Sequence, residues 1–269
     1  MAPVQREGQA AASQKAVAFI GTSGYSYPHW RGCFYPEGLS SREWLSFYAG
    51  RFRTVELNVT FYRLPRKSTF EKWRRMTPPD FTFALKGSRL ITHQKRLAAP
   101  EEPVALFFQH AVLLEEKLGA VLWQLPPGMQ VERERLEEFC RILREHRAAR
   151  NVRHAFEFRH RSCFNPEIYD VLRRYNFALC TADGPRWPCV EEVTADFAYF
   201  RFHGHEKLYA SCYGSEELVR WAERIQAHLA AGRDVYVYFN NDAGGCAVSD
   251  AQELSRLLGD PVEYKLEVF

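Results

Sequence analysis

At 269 residues, with 46% hydrophobic and 26% charged side chains, the chain is long enough for one large core and short for two. Its net charge of +3 is small for that length and argues against a nucleic-acid binder working by bulk electrostatics, though a local basic patch is compatible with it. No apolar run reaches the roughly 18–20 residues that cross a bilayer, so no membrane partner is expected.

In chain order, Met1–Lys15 mixes Arg6 and Glu7 with Ala, Gln and Ser and lacks the apolar centre of a secretory signal; residues 1–15 read as a disordered leader. Ala18–Gly24 is the first of eight short apolar segments. Thr54–Asn58, Phe81–Gly87, Gly119–Leu125, His154–Arg159, Phe177–Asp183, Ala198–Gly204 and Asp234–Asn241 are the others. Near-continuous apolar character suits parallel strands buried on both faces. Helical signals fall between them. Ser40 and Glu43 have the spacing of a capping box, and Asn165-Pro166 reads as an N-cap followed by proline in the first turn. Leu136, Phe139, Cys140 and Leu143 follow the i, i+3, i+4, i+7 rule, as do Leu218, Trp221, Ala222 and Ile225. Gly184–Asp196 holds two prolines and no helical period, so the outer helix between strands 6 and 7 is expected to be short or missing.

Strand and helix in alternation define the α/β class. About eight such units in about 250 residues fit a single (β/α)8 barrel over residues 16–269 better than an open sheet. An open doubly wound sheet is the alternative, but Gly21-Thr22-Ser23-Gly24 matches neither common phosphate-loop pattern. The seven cysteines are scattered, odd in number and form no C-x-x-C pair. They read as reduced thiols of a cytoplasmic protein, not as a disulfide framework or a zinc site.

In a barrel the chemistry sits where the strands end. Glu56 and Asn58 end the second strand, Lys86 the third, and Gln124 lies near the end of the fourth. Glu157 and Arg159 close the fifth, Asp183 the sixth, Arg201 and His203 the seventh, and Asn240, Asn241 and Asp242 the eighth. Side chains alternate with period 2, so Glu56/Asn58, Glu157/Arg159 and Arg201/His203 each share a face. If that face is the lumen, acids, bases and a histidine meet in one mouth.

These residues lie in ordered blocks: Gly21-Thr22-Ser23-Gly24-Tyr25, Phe34-Tyr35-Pro36, Thr54 to Arg63, Thr92-His93, Gln124-Leu125-Pro126-Pro127, Glu157-Phe158-Arg159, Arg201-Phe202-His203-Gly204 and Phe239-Asn240-Asn241. On them the chain resembles the domain of unknown function 72 family from about Phe19 to Leu258. The resemblance implies a barrel of the triosephosphate isomerase type and supplies no reaction. Tyr25 stands where tryptophan is common, Ser162-Cys163 where Ser-Trp is common, and His205 adds a second histidine after Gly204.

Glu56, Glu157, Asp183 and His203 are the acid/base candidates, because proton transfer needs titratable groups in a water-poor cleft. Lys86, Arg159 and Arg201 suit an anion, and the alternative is that each merely neutralises an acid. Asn58, Gln124, Asn240 and Asn241 would position a ligand. Tyr62 would do so from a rim that also carries Tyr25, Tyr27, Trp30, Phe61, Tyr209 and Tyr213. The leading expectation is a small anionic substrate, phosphorylated or carboxylated, turned over by proton transfer or hydrolysis. No cofactor is required and no metal ligand is assigned. A metal-dependent phosphoesterase using a divalent ion on Glu56, Glu157, Asp183 and His203 is one alternative; a non-catalytic barrel binding a nucleotide or nucleic acid is the other. The sequence leaves the oligomeric state open.

Overall fold

The computed structural model describes residues 15–259. The proposed leader, apart from Lys15, and residues 260–269 of the expected domain lie outside them. Eight parallel strands form one sheet: β1 (Ala18–Thr22), β2 (Thr54–Leu57), β3 (Thr82–Lys86), β4 (Leu118–Gln124), β5 (Arg153–Glu157), β6 (Ala178–Asp183), β7 (Phe197–Phe202) and β8 (Asp234–Phe239). The order runs β1-β8-β7-β6-β5-β4-β3-β2. Each expected segment is a strand, with ends that coincide or differ by at most two residues.

The sheet curls until β2 meets β1, where a single backbone bridge, Ser23 to Glu56, stands in for a ladder. Tyr48 fills the seam. Its hydroxyl accepts the Thr22 amide at 2.9 Å and donates to the Thr54 carbonyl at 3.0 Å, linking two strands that do not reach each other. Gly21 is required there, because a Cβ would stand 2.2 Å from the Thr54 carbonyl oxygen. Inside the barrel, small residues of β3–β6 (Ala84, Ala120, Ala155, Ala182) pack with Tyr199, Tyr236 and Tyr238 of β7 and β8. Large opposite small is how eight strands fill their lumen with side chains.

The outer layer comprises α1 (Trp44–Ala49), α2 (Val59–Tyr62), α3 (Lys67–Arg75), α4 (Glu101–Ala111), α5 (Arg133–Glu145), α6 (Pro166–Tyr175), α7 (Ser215–Ala230) and α8 (Cys246–Leu257). Both apolar stripes read from sequence face the core on α5 and α7. Asn165 caps α6 by accepting the Ile168 amide at 3.1 Å, and Asn176 ends that helix with φ 53°. No helix joins β6 to β7. The two prolines there, Pro185 and Pro188, remove amide donors that a helix would need.

Two expectations are corrected. Ser40 and Glu43 form no capping box: they close a turn, Glu43 N–H to Ser40 carbonyl at 2.9 Å, and α1 begins only at Trp44. The cysteines are not all reduced thiols. Cys212, in the loop after β7, is joined to Cys246 at the head of α8 by a disulfide, their Cα atoms 5.0 Å apart. A separation of 34 residues conceals in the sequence a proximity that the adjacent β7 and β8 crossovers create.

Candidate functional site

The lumen ends upward in charge. Glu56 (β2), Glu157 (β5) and Arg201 (β7) are at most 1% exposed. Arg201 donates to the same Glu56 oxygen through Nη2 at 2.7 Å and Nε at 3.1 Å, and to Glu157 through Nη1 at 2.6 Å. Ser23 and Tyr199 complete the Glu56 carboxylate, at 2.6 and 2.7 Å. Arg159 takes the other Glu157 oxygen, through Nη2 at 2.6 Å and Nε at 2.7 Å, with its guanidinium 3.9 Å over the Trp187 ring. Burial alone would raise the Glu157 carboxyl, but the Arg159 and Arg201 charges beside it hold it well below the usual range.

This geometry corrects one expected role. Arg201 is not open to a ligand anion, because two carboxylates and Ser23 already engage its three nitrogens. Neither glutamate is a ready base, since each oxygen already accepts at least one strong hydrogen bond. A buried ion cluster of this kind keeps its charges only while every partner stays in place.

His203 lies behind the cluster with no exposed surface. Its Nε2 is 3.6 Å from Glu157 Oε1 and its Nδ1 3.1 Å from Asn240 Nδ2. Burial and the Arg201 charge push the imidazole down to about 4, so it is neutral near pH 7. With the Asn240 amide donating to Nδ1, the ring proton sits on Nε2 facing Glu157, so the imidazole positions its neighbours and offers no lone pair to a substrate.

Lys86 is placed differently. It shares the lumen face of β3 with Ala84 and is 9% exposed, and its ammonium has no hydrogen bond or ion pair among the described residues. Its ammonium sits 4.3 Å from the Phe61 ring centre. Desolvation, then the Arg201 charge, push it down to about 8 against the pull of Glu157 and Glu56. His93 packs edge-on against the same ring, with centres 4.8 Å apart. Thr92 Oγ1 donates to the Ser88 carbonyl, so at 2.9 Å it accepts from His93 Nδ1, and this assigned tautomer leaves Nε2 with an unengaged lone pair. Burial and the nearby Lys86, Arg159 and Arg89 charges push His93 down to about 4.

Other expected residues divide. Asn58 donates to the Ser23 carbonyl at 3.4 Å, and its buried Oδ1 has no partner among the described residues. Gln124 is in register with Glu157 and donates to its own neighbour's carbonyl, Leu125, at 2.8 Å. Tyr62 is 68% exposed at the rim. Asp183 does not join the cluster. On β6 the lumen face is Ala178, Cys180 and Ala182, so Asp183 falls on the opposite face, where it accepts from Tyr213 at 2.7 Å. Asn241 likewise points away, donating to Asp250 at 2.7 Å and the Ser211 carbonyl at 2.9 Å. Trp30 and Tyr213 are loop core.

Four contributors escape a strand-end reading. Ser23 follows β1, Tyr199 lies mid-strand, and His93 and Trp187 sit in crossovers. Thr92-His93 stands out in the sequence as a block, which is the one signal that could have drawn His93 in. Beside the mouth, a cavity of about 680 Å³ is lined by residues including Tyr25, Tyr27, Asn58, Arg63, Arg66 and Trp73. It adjoins the cluster through Asn58 without containing it. Among the described residues no group of three or more His, Cys, Asp or Glu is placed to hold a metal. Arg201 stands between the two glutamates a metal site would use.

Fold and site together define a triosephosphate-isomerase-type barrel whose mouth is a buried ion cluster bordered by an uncommitted lysine. Within that class the chain belongs to the family described as protein of unknown function DUF72, whose model matches residues 19–267. A relative from Bacillus subtilis, UPF0759 protein YunF, is 27% identical across 92% of this chain and 96% of its own. A DUF72 family protein of Thermotoga maritima superposes with a TM-score of 0.79 at 32% identity, covering 90% of this chain and 99% of that one. One from Enterococcus faecalis does so at 0.78 and 22%, covering 90% and 96%.

Proposed function

We propose that the barrel mouth binds a small anionic substrate, carboxylated or phosphorylated, and acts on it by acid/base chemistry centred on Lys86 and His93. The observation that carries this reading is Lys86, a nine-tenths buried cation with no anionic partner among the described residues. A buried charge without a partner costs several kcal/mol, and a ligand anion would relieve that cost. Arg159, after β5 and two strands along from β3, adds positive charge through its Nη1 edge, which among the described residues bonds only to the Tyr209 hydroxyl at 3.4 Å. His93 Nε2, which has no hydrogen-bond partner among the described residues, is the proton acceptor in this reading. Its suppressed basicity rises once an anion screens Lys86 and Arg159. The Glu56–Arg201–Glu157 cluster serves as scaffold and sets the field.

Thermal unfolding in the presence of inorganic phosphate, glycerol 3-phosphate and pyruvate tests the reading. A ligand at about a hundredfold its dissociation constant adds roughly 2.7 kcal/mol. Wild type should be stabilised by at least one of these anions, and Lys86→Gln should lose that response while still unfolding cooperatively. Equal stabilisation of the variant, or none of wild type, contradicts the proposal. A second reading, nucleotide binding without turnover, draws on Arg63, Arg66 and Trp73 in the adjoining cavity. Stabilisation by adenosine monophosphate that survives Lys86→Gln and fails in Arg66→Gln would favour it.

A further inference from the structure

Two lysines are buried among the described residues, and they are buried for opposite purposes. Lys117, at the closed end of the barrel, donates to the Arg74 carbonyl at 2.7 Å, the Thr77 carbonyl at 2.7 Å and Thr77 Oγ1 at 3.1 Å. All three of its protons are used, which is how a structural ammonium is kept charged inside a protein. Lys86 lies at the open end with none of its protons donated and an apolar ring beneath it. The charged groups that face it are Glu56 from β2, Glu157 from β5, Arg201 from β7, and Arg159 and His93 from the crossovers. The two acids among them are already bonded to the two arginines.

We infer that Lys86 is a nucleophile that forms an imine with an anionic carbonyl compound, meaning an aldehyde or ketone that also carries a carboxylate or phosphate. The inference rests on the anion site proposed above: the substrate's carboxylate or phosphate lies on the Arg159 Nη1 edge, and the Lys86 amine, attacking in its unprotonated form, meets the carbonyl carbon. An amine attacks a carbonyl only through its unprotonated lone pair, and desolvation beside other cations is what makes a lysine lone pair available near neutral pH. Burial provides the first condition and the Arg201 charge the second, and together they outweigh the pull of the Phe61 ring face, Glu157 and Glu56 towards the charged form.

The step balances with one proton taken from solvent. The Lys86 nitrogen lone pair forms a bond to the carbonyl carbon while the carbonyl π pair moves to oxygen, which takes that proton. The nitrogen gives up one proton to His93 Nε2, leaving a neutral carbinolamine. The carbinolamine hydroxyl then takes the proton back from the His93 imidazolium and leaves as water as the nitrogen lone pair forms the carbon–nitrogen double bond. No oxidant, reductant or metal enters. The resulting iminium withdraws electrons from the adjacent carbon and so eases loss of a proton there. Chemistry at a carbon next to a carbonyl is the class of reaction this arrangement serves.

Reductive trapping tests the inference. The intact chain is incubated at pH 8 with pyruvate, and separately with dihydroxyacetone phosphate, in the presence of sodium cyanoborohydride, which fixes an imine as a secondary amine. Peptide mass spectrometry then follows each lysine over time. The expected result is an adduct on Lys86 with at least one carbonyl compound, forming at least tenfold faster than on exposed Lys67 or Lys72, and none on Lys117. In Lys86→Arg, which keeps the charge and removes the amine, the fast adduct should vanish. Labelling of Lys86 no faster than of the exposed lysines, in protein that phosphate or pyruvate still stabilises, overturns the imine and leaves the anion site standing. The same slow labelling in protein that no anion stabilises overturns both. Because the decisive comparison is among lysines of the wild-type chain, a poorly folding variant does not affect it.

Discussion

Arg201 illustrates why a charged residue in a barrel lumen is not automatically a ligand-binding one. It spends its donors on Glu56, Glu157 and Ser23, so its contribution is to let two carboxylates remain ionised away from water. Removing one member of such a set strands the others. Arg201→Met is expected to cost about 3–5 kcal/mol in urea unfolding at pH 7. The sign of its pH dependence follows from Glu157. That carboxyl is held below its ordinary value in the folded chain, so its contribution is complete above about 4.5 and is lost as pH falls through its folded value. The difference between wild type and variant should therefore shrink in acid; a difference that stays constant from pH 7 to pH 3 would contradict the assignment. Period-2 alternation and strand ends bring Glu56, Glu157, Arg201 and His203 together in the sequence reading only on the condition that their shared faces turn to the lumen. The sequence does not reveal which cations are already committed, since pairing depends on cross-barrel distances of a few ångström. Asp183 is misplaced by the same ambiguity. Strand β6 is buried on both faces, so burial does not mark which parity faces the lumen.

At the level of elements, the seam between β1 and β2 is where the architecture is least redundant. The other strand pairs share ladders, whereas here one bridge and the Tyr48 hydroxyl do the joining. Tyr48→Phe keeps the ring and its aromatic contacts but leaves the buried Thr22 amide and Thr54 carbonyl without that hydroxyl. Each orphaned group costs about 1–3 kcal/mol, and a loss of at least 1 kcal/mol in denaturant unfolding is predicted. An unchanged midpoint would show that the seam closes without it. Ser23 and Glu56 lie on this seam, so the variant should also weaken phosphate stabilisation. Local signals are uneven guides at this scale. Asn165-Pro166 specifies its cap because both requirements lie in adjacent residues. Ser40/Glu43 matches a spacing but not the backbone, which turns before the helix begins.

For the whole molecule, the fold is legible because the strands are near-continuous apolar runs and helical signals recur between them, at α5, α6 and α7 most plainly. Barrel closure follows from the count of such units. The disulfide and the His93–Phe61–Lys86 grouping are not legible, because they join side chains from neighbouring β/α units whose mutual approach no local sequence pattern records. Global stability carries the mark of the site. An unfolded chain binds a proton on this lysine up to its ordinary value of 10.5, whereas the folded chain does so only below about 8. Folding is thus opposed by Lys86 below about 8, and that opposition is relieved as pH rises towards 10.5. A bound anion offsets the same penalty, which links the stability of the barrel to occupancy of its mouth.

Proton-detected NMR of protein carrying ¹³C,¹⁵N-labelled lysine, with the Lys86 side-chain signal assigned through Lys86→Arg, measures that coupling directly. The predicted midpoint is about 8, moving upward when phosphate binds. A midpoint near 10.5, unmoved by phosphate, would mean that Lys86 is solvated or paired and that the mouth holds no uncommitted charge.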